Sequence, residues 1–169
     1  LPASVTFTGA NWNVPQTVTV TGVDDFVADG NIAYSIQLVA SSADAGYAAR
    51  TGSVSATNMD NDVAGLTATP SAGLVTTEAG GAATFQLTLA SQPTANVVVA
   101  VSSSDTTEGT ALPASVTFTT GNWNVAQTVT VTGVDDPAAD GTQPYTVAIA
   151  PATSGATSYE GIGPGDLPI

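Results

Sequence analysis

Residues 112–136 read LPASVTFTTGNWNVAQTVTVTGVDD, and residues 1–25 read LPASVTFTGANWNVPQTVTVTGVDD. The two stretches differ only at Gly9/Thr120, Ala10/Gly121 and Pro15/Ala126. Residue n therefore answers residue n + 111, and 111 residues is the length of one β-sandwich domain. Beyond the quoted stretch the match loosens but persists. Asp29-Gly30 answers Asp140-Gly141, Tyr34 answers Tyr145, and Tyr47 answers Tyr159 after a one-residue slip. By this spacing residues 1–62 are the back half of one repeat, ending in an acidic connector. Residues 63–169 are a second repeat, cut short in its last strand. The chain lacks an initial Met and a leader peptide, so it reads as a piece of something longer or processed.

Inside the quoted stretch the apolar residues alternate with Thr, the period of a strand with one face buried. Val116 and Phe118 form one such run, and Val129 and Val131 form another between Thr128, Thr130 and Thr132. The same period marks Phe85, Leu87 and Leu89, then Val97, Val99 and Val101, then Tyr145, Val147 and Ile149. In the first repeat the equivalent roles fall to Val5, Phe7, Val18, Val20, Tyr34, Ile36 and Leu38. β-Branched Val and Thr suit a pleated, half-buried surface. Turn signals separate the runs: Ala79-Gly80-Gly81, Gln92-Pro93, Gly121-Asn122 and Gly133. No segment has helical periodicity with caps. The reading is all-β: tandem antiparallel, Ig-like β-sandwiches with the first repeat only partly present.

Composition excludes much chemistry. The chain has 169 residues, 14 acids, a single base and neither His nor Cys, for a net charge of -13. Without His or Cys there is no Ser-His-Asp triad, thiol nucleophile, zinc finger or disulfide framework. Without Lys there is no Schiff base and no Lys–Asn isopeptide crosslink. One cation does not hold a phosphate backbone, so nucleic acid is excluded as a partner, and an anionic membrane surface with it. No apolar run is long enough for a membrane span.

The acids are grouped. Asp24, Asp25 and Asp29 share one loop, and Asp135, Asp136 and Asp140 repeat it. Asp60 and Asp62 lie at the junction between repeats. Glu78 precedes the Phe85 strand, and Asp105 and Glu108 follow the Val101 strand. Counting strands up and down puts these loops at one end of the sandwich. Carboxylates so clustered repel one another unless a cation is bound, and oxygen-only ligands on loops suit Ca²⁺ ahead of Mg²⁺. The alternative is a solvated acidic rim.

This layout resembles the Calx-β family of calcium-binding sandwiches, found in exchanger regulatory domains and bacterial surface repeats. The resemblance rests on Glu78 in VTTEAGG, Asp105 in SSSDTTEG, and Asp135-Asp136 with Asp140 in GVDDPAADG, with GVDDFVADG and the exit NMDND in the first repeat. It covers essentially the whole chain. One departure is that the family's Glu-rich loop is reduced to Ala28-Asp29 and Ala139-Asp140. The resemblance implies Ca²⁺ as cofactor, with Asp24, Asp25, Asp29, Asp60, Asp62, Glu78, Asp105, Asp135, Asp136 and Asp140 as the candidate metal ligands.

The expected role is structural. A cation at Asp60–Asp62 would stiffen a string of sandwiches into a stalk, adhesin, matrix or filament of a secreted or cell-surface, bacterial protein. Expected partners are neighbouring repeats or copies of the same chain, including strand exchange between chains, with glycans or another cell surface as further partners. Trp12 and Trp123 each sit in an NWN turn between strands. The simple reading is a ring covering the sandwich end, with the Asn side chains bonding the turn. The alternative is a sugar-stacking platform in a carbohydrate-binding adhesion module. No catalytic residues are expected: Asp135 and Asp136 are adjacent and so face opposite ways, unlike a glycosidase pair. Asp44 reads as a plain surface residue, Asp166 and Glu160 have no evident partner, and Arg50 reads as solvent-facing.

Overall fold

The computed structural model describes residues 4–139 and 141–169. The chain divides into two compact units. One comprises the residues up to Asp25 together with Asn31–Met59, and the other comprises Phe26–Gly30 and Asp60–Ile169. No helix occurs among the described residues, and none is long and apolar enough to cross a membrane.

The first unit contains one antiparallel hairpin, β1 (Ile32–Val39) with β2 (Thr51–Asn58). Among the described residues the second contains nine strands: β3 (Leu66–Thr69), β4 (Ala82–Leu89), β5 (Val97–Ser103), β6 (Gly109–Leu112), β7 (Ser115–Phe118), β8 (Gln127–Gly133), β9 (Thr146–Ile149), β10 (Thr153–Ser154) and β11 (Leu167–Pro168). They form two antiparallel sheets. One runs β3-β4-β8-β6, and the other runs β10-β5-β9-β11 with β7 also on β5. Their inner faces supply one core: Phe85, Leu87, Val129 and Val131 from the first sheet meet Val97, Val99, Phe118 and Val147 from the second. This is a β-sandwich-like architecture, and the strict in–out burial of β5, β8 and β9 is the two-residue period read from the sequence.

Tyr159 closes the core. Its ring is fully buried. Its hydroxyl accepts from Ser91 N (2.9 Å), lies 2.9 Å from Ser91 Oγ and donates to Ser91 O (2.6 Å). Tyr145 is also buried, and its hydroxyl bonds Thr76 Oγ1 at 2.7 Å.

Two local hydrogen-bond patterns recur at positions that the sequence repeat relates. Asn122 Oδ1 accepts from Thr119 N and Oγ1, and Val125 N bonds Asn122 O. Asn11 Oδ1 does the same for Thr8, and Val14 N bonds Asn11 O. Further on, Ala152 N donates to Ile162 O and Gly161 N to Ala152 O, and their counterparts Ala40, Arg50 and Ala49 make the same pair. Ala49 even keeps the left-handed backbone, φ 56°, that Gly161 adopts at 79°.

One expectation is corrected. Tyr34, Ile36 and Leu38 lie in β1, but Val5, Phe7, Val18 and Val20 lie in no strand. The cause is the pairing scheme. The counterparts of Val5 and Phe7 lie in β7, which pairs with β5. Those of Val18 and Val20 lie in β8, which pairs with β4 and β6. Residues 1–62 contain no copy of β4, β5 or β6 to receive these runs.

Candidate carboxylate site

In the second unit the topology brings three acid-bearing segments together. β6 pairs antiparallel with β8, with Gly109 opposite Gly133. That register sets the Asp105–Glu108 loop beside the segment leaving β8, and Val134 N donates to Glu108 O at 2.9 Å. The turn before β4 lies alongside, because Gly133 N donates to Gly81 O. A Cβ on Gly133 would collide with the Thr77 carbonyl, so the approach requires glycine. Between these segments lies an open cleft of about 540 Å³, lined by Glu78 and Glu108 with Thr76, Thr77, Gln143 and Tyr145. Among the described residues, Glu78 and Glu108 are the two acids on this lining.

Glu108 is the lining carboxylate that the ligand set derived from sequence omits. Only the β6–β8 register brings it to the cleft, and register is not written in a four-residue strand. Asp140 lies outside the described residues.

Several other acids accept backbone hydrogen bonds. Asp105 Oδ1 accepts from both the amide and the hydroxyl of Thr107, which hold its carboxyl below the usual value of 3.8. Asp136 Oδ1 accepts from Ala138 N (2.8 Å), while Asp135 is exposed beside it. Asp44 Oδ1 accepts from Gly46 N (2.8 Å). Two acids without an expected partner have one: Glu160 Oε2 accepts from Ser154 N (2.6 Å), and Asp166 Oδ1 from Ile149 N (3.3 Å). Arg50 is exposed and its Nε donates to Gly46 O. In a chain with one base, amide N–H groups take over the role that cations play elsewhere.

Asp60 carries this furthest. Asp62 N donates to its Oδ1 (2.8 Å) and Gly30 N to its Oδ2 (2.6 Å). These amides, that of Asp62 first, lower its pKa from 3.8. The bond to Gly30 clasps the chain where it leaves the second unit to the point where it returns. The segment so held belongs to the first repeat by sequence, yet Phe26 O accepts from Gln92 N (2.6 Å). Its ring packs on Trp123, with centroids 5.8 Å apart and planes at 40°. Trp123 is partly buried against the core beside its Asn-braced turn and in contact with Phe26, whereas Trp12 is largely exposed. Asp29 is exposed in the second unit, and Asp24 and Asp25 are exposed in the first.

The cleft's donors are all oxygens, which suits a hard cation in kind. Among the described residues, however, no three acidic side chains gather at one point. At the connector, both Asp60 oxygens accept backbone hydrogen bonds. No protein-family model matches the sequence, and no curated protein matches it.

Proposed function

We propose that the chain is a non-enzymatic structural repeat module of a secreted or cell-surface protein. In this reading its tandem Ig-like sandwiches are of the Calx-β kind and join end to end in a stalk, adhesin, matrix or filament. The observation that carries the reading is the pair of matching hydrogen-bond sets at Asn11/Asn122 and at Ala40/Ala152. A backbone design reproduced in register is what an array of stacked modules uses. The Phe26–Trp123 contact supports end-to-end joining, because it joins a loop of one repeat to the sandwich of the next. The chain has neither His nor Cys, so a Ser-His-Asp triad and a thiol nucleophile are outside its chemistry.

Calcium is the cation we propose for the acidic end, held by Glu78 and Glu108 with neighbouring loop oxygens. The connector would then be stiffened by the Asp60 clasp and further by calcium at the loops. Extracellular sites of this kind have Kd of about 10⁻⁴–10⁻³ M, and calcium at ~100 times Kd would stabilise the fold by roughly 2.7 kcal/mol. The test is a thermal melt with small-angle scattering in calcium, magnesium and chelator. A melting temperature raised by calcium alone, lost in Glu78→Gln/Glu108→Gln, supports the reading. Identical melts and dimensions in all three reduce the acids to a solvated rim.

A further inference from the structure

The segment Phe26–Gly30, which belongs to the second unit, ends in a chemically reactive dipeptide. Asp-Gly occurs in the sequence at Asp29-Gly30 and at Asp140-Gly141. In such a pair the glycine nitrogen can attack the aspartate side-chain carboxyl, because no Cβ on the glycine blocks the approach. At Gly30, no atom beyond its chain neighbours lies within 4 Å of where a Cβ would sit, so there is room for the ring to close. Asp29 is exposed, so water reaches its carboxyl. The glycine amide, however, is engaged. Gly30 N donates to Asp60 Oδ2 at 2.6 Å. Asp60 is fixed in turn, since its Oδ1 accepts from Asp62 N at 2.8 Å. The backbone ahead of the pair is tied as well: Asp29 N donates to Val27 O at 2.9 Å, and Gln92 N to Phe26 O at 2.6 Å.

We propose that Asp29 is a site of spontaneous modification, closing with Gly30 to a succinimide and reopening to isoaspartate, and that Asp60 holds this reaction back. In the first step a bond forms between Gly30 N and Asp29 Cγ, the Cγ–OH bond breaks, the amide proton is lost, and one water leaves. Water then adds to one of the two ring carbonyls. Opening at Cγ restores aspartate. Opening at the main-chain carbonyl leaves the backbone running through Cγ, which is isoaspartate. Water is the only co-reactant.

Asp60 opposes the first step in two ways. The nitrogen must give up its proton, and a charge-assisted hydrogen bond to a carboxylate stabilises the protonated amide. The nitrogen must also turn toward Cγ, and the bond to Asp60 fixes its direction. Conversion, once made, inserts one carbon into the backbone between Asp29 and Gly30 and carries Gly30 N away from Asp60. The reaction is thus a one-way release of the clasp that joins Gly30 to the connector. It requires neither calcium nor end-to-end joining of modules.

The test warms the full chain at neutral pH and follows isoaspartate at residue 29 by fragmentation mass spectrometry, beside a free peptide of Phe26–Asn31. Loss of a hydrogen bond to a charged group is worth roughly a ten- to hundredfold change in rate. The peptide should therefore convert at least about tenfold faster than the full chain, and Asp60→Ala should convert faster than the native chain by a similar factor. Slow amide exchange at Val97 and Val147 verifies that the variant is folded. If Asp60→Ala does not fold, Asp60→Asn replaces it, since it keeps one accepting oxygen for two amides, and a smaller acceleration is expected. In the converted fraction, exchange at the Gly30 amide should quicken while that at Val129 and Val131 stays the same. Equal rates in peptide and full chain would overturn the proposal, as would equal rates in the native chain and the folded variant. Faster conversion in the native chain than in the peptide would also overturn it, because Asp60 would then act as a base.

Discussion

Replacing Tyr159 by Phe removes one oxygen and tests whether the second unit is built around a buried hydroxyl. That oxygen serves three Ser91 groups at 2.6–2.9 Å, and Ser91 is itself fully buried. Among the described residues every buried side-chain polar atom has a partner, so no spare donor or acceptor stands ready to compensate. A buried polar group left alone costs about 1–3 kcal/mol. The Ser91 amide and carbonyl both lose their partner, while the serine hydroxyl can rotate toward one of them. The net expectation is a loss of about 3 kcal/mol, or about 12 °C at roughly 4 °C per kcal/mol. The assay is urea unfolding followed by Trp123 fluorescence in a Trp12→Phe background. Tyr47→Phe is the matched control, because Tyr47 answers Tyr159 yet is largely exposed, and it should change stability by less than about 0.5 kcal/mol. Equal effects from the two substitutions, or a Tyr159→Phe loss below about 0.5 kcal/mol, would refute the reasoning.

Other expectations follow from the same geometry. Gly133→Ala drives a methyl into the Thr77 backbone and should cost about 1–3 kcal/mol. Gly22→Ala, the counterpart, meets only the Asn58 side-chain amide and should be nearly silent by the same urea assay. Phe26→Ala removes the ring over Trp123, so Trp123 emission should shift to the red and the melt should fall by about 0.5–1.5 kcal/mol. Asp60 and Asp105 have carboxyl pKa values below 3.8 in the fold, so their contribution is fully present above 3.8 and is lost as pH falls through the lower folded values. Melts from pH 7 to pH 2 should therefore be steeper in acid for the native chain than for Asp60→Asn/Asp105→Asn.

The strand runs were legible because their signal is local. A Val-Thr alternation fixes which side chain faces inward without reference to any partner, and β5, β8 and β9 bury the residues it selects. The NWN turns were legible for a similar reason, since Asn122 and Asn11 bond groups three to five residues away. What a single stretch cannot carry is its cover. Val18 and Val129 have the same neighbours in sequence, and only the pairing of β8 with β4 and β6 separates their fates. The acids divide in the same way. Strand count alone leads one to expect them near one end, and the structure lines one cleft with Glu78 and Glu108. One of the two hydrogen bonds to Asp60 comes from Gly30, thirty residues away, and the partner of Asp166 is an amide of β9.

The most direct measurement compares amide exchange at Val18 and Val20 with that at Val129 and Val131 in the unmodified chain by NMR. Residues 16–25 and 127–136 are identical, so the intrinsic chemical rates match and any difference reports structure alone. The closed sandwich against an open half-repeat predicts slower exchange at Val129 and Val131 by on the order of a thousandfold or more. Equal rates at the two pairs would contradict the account.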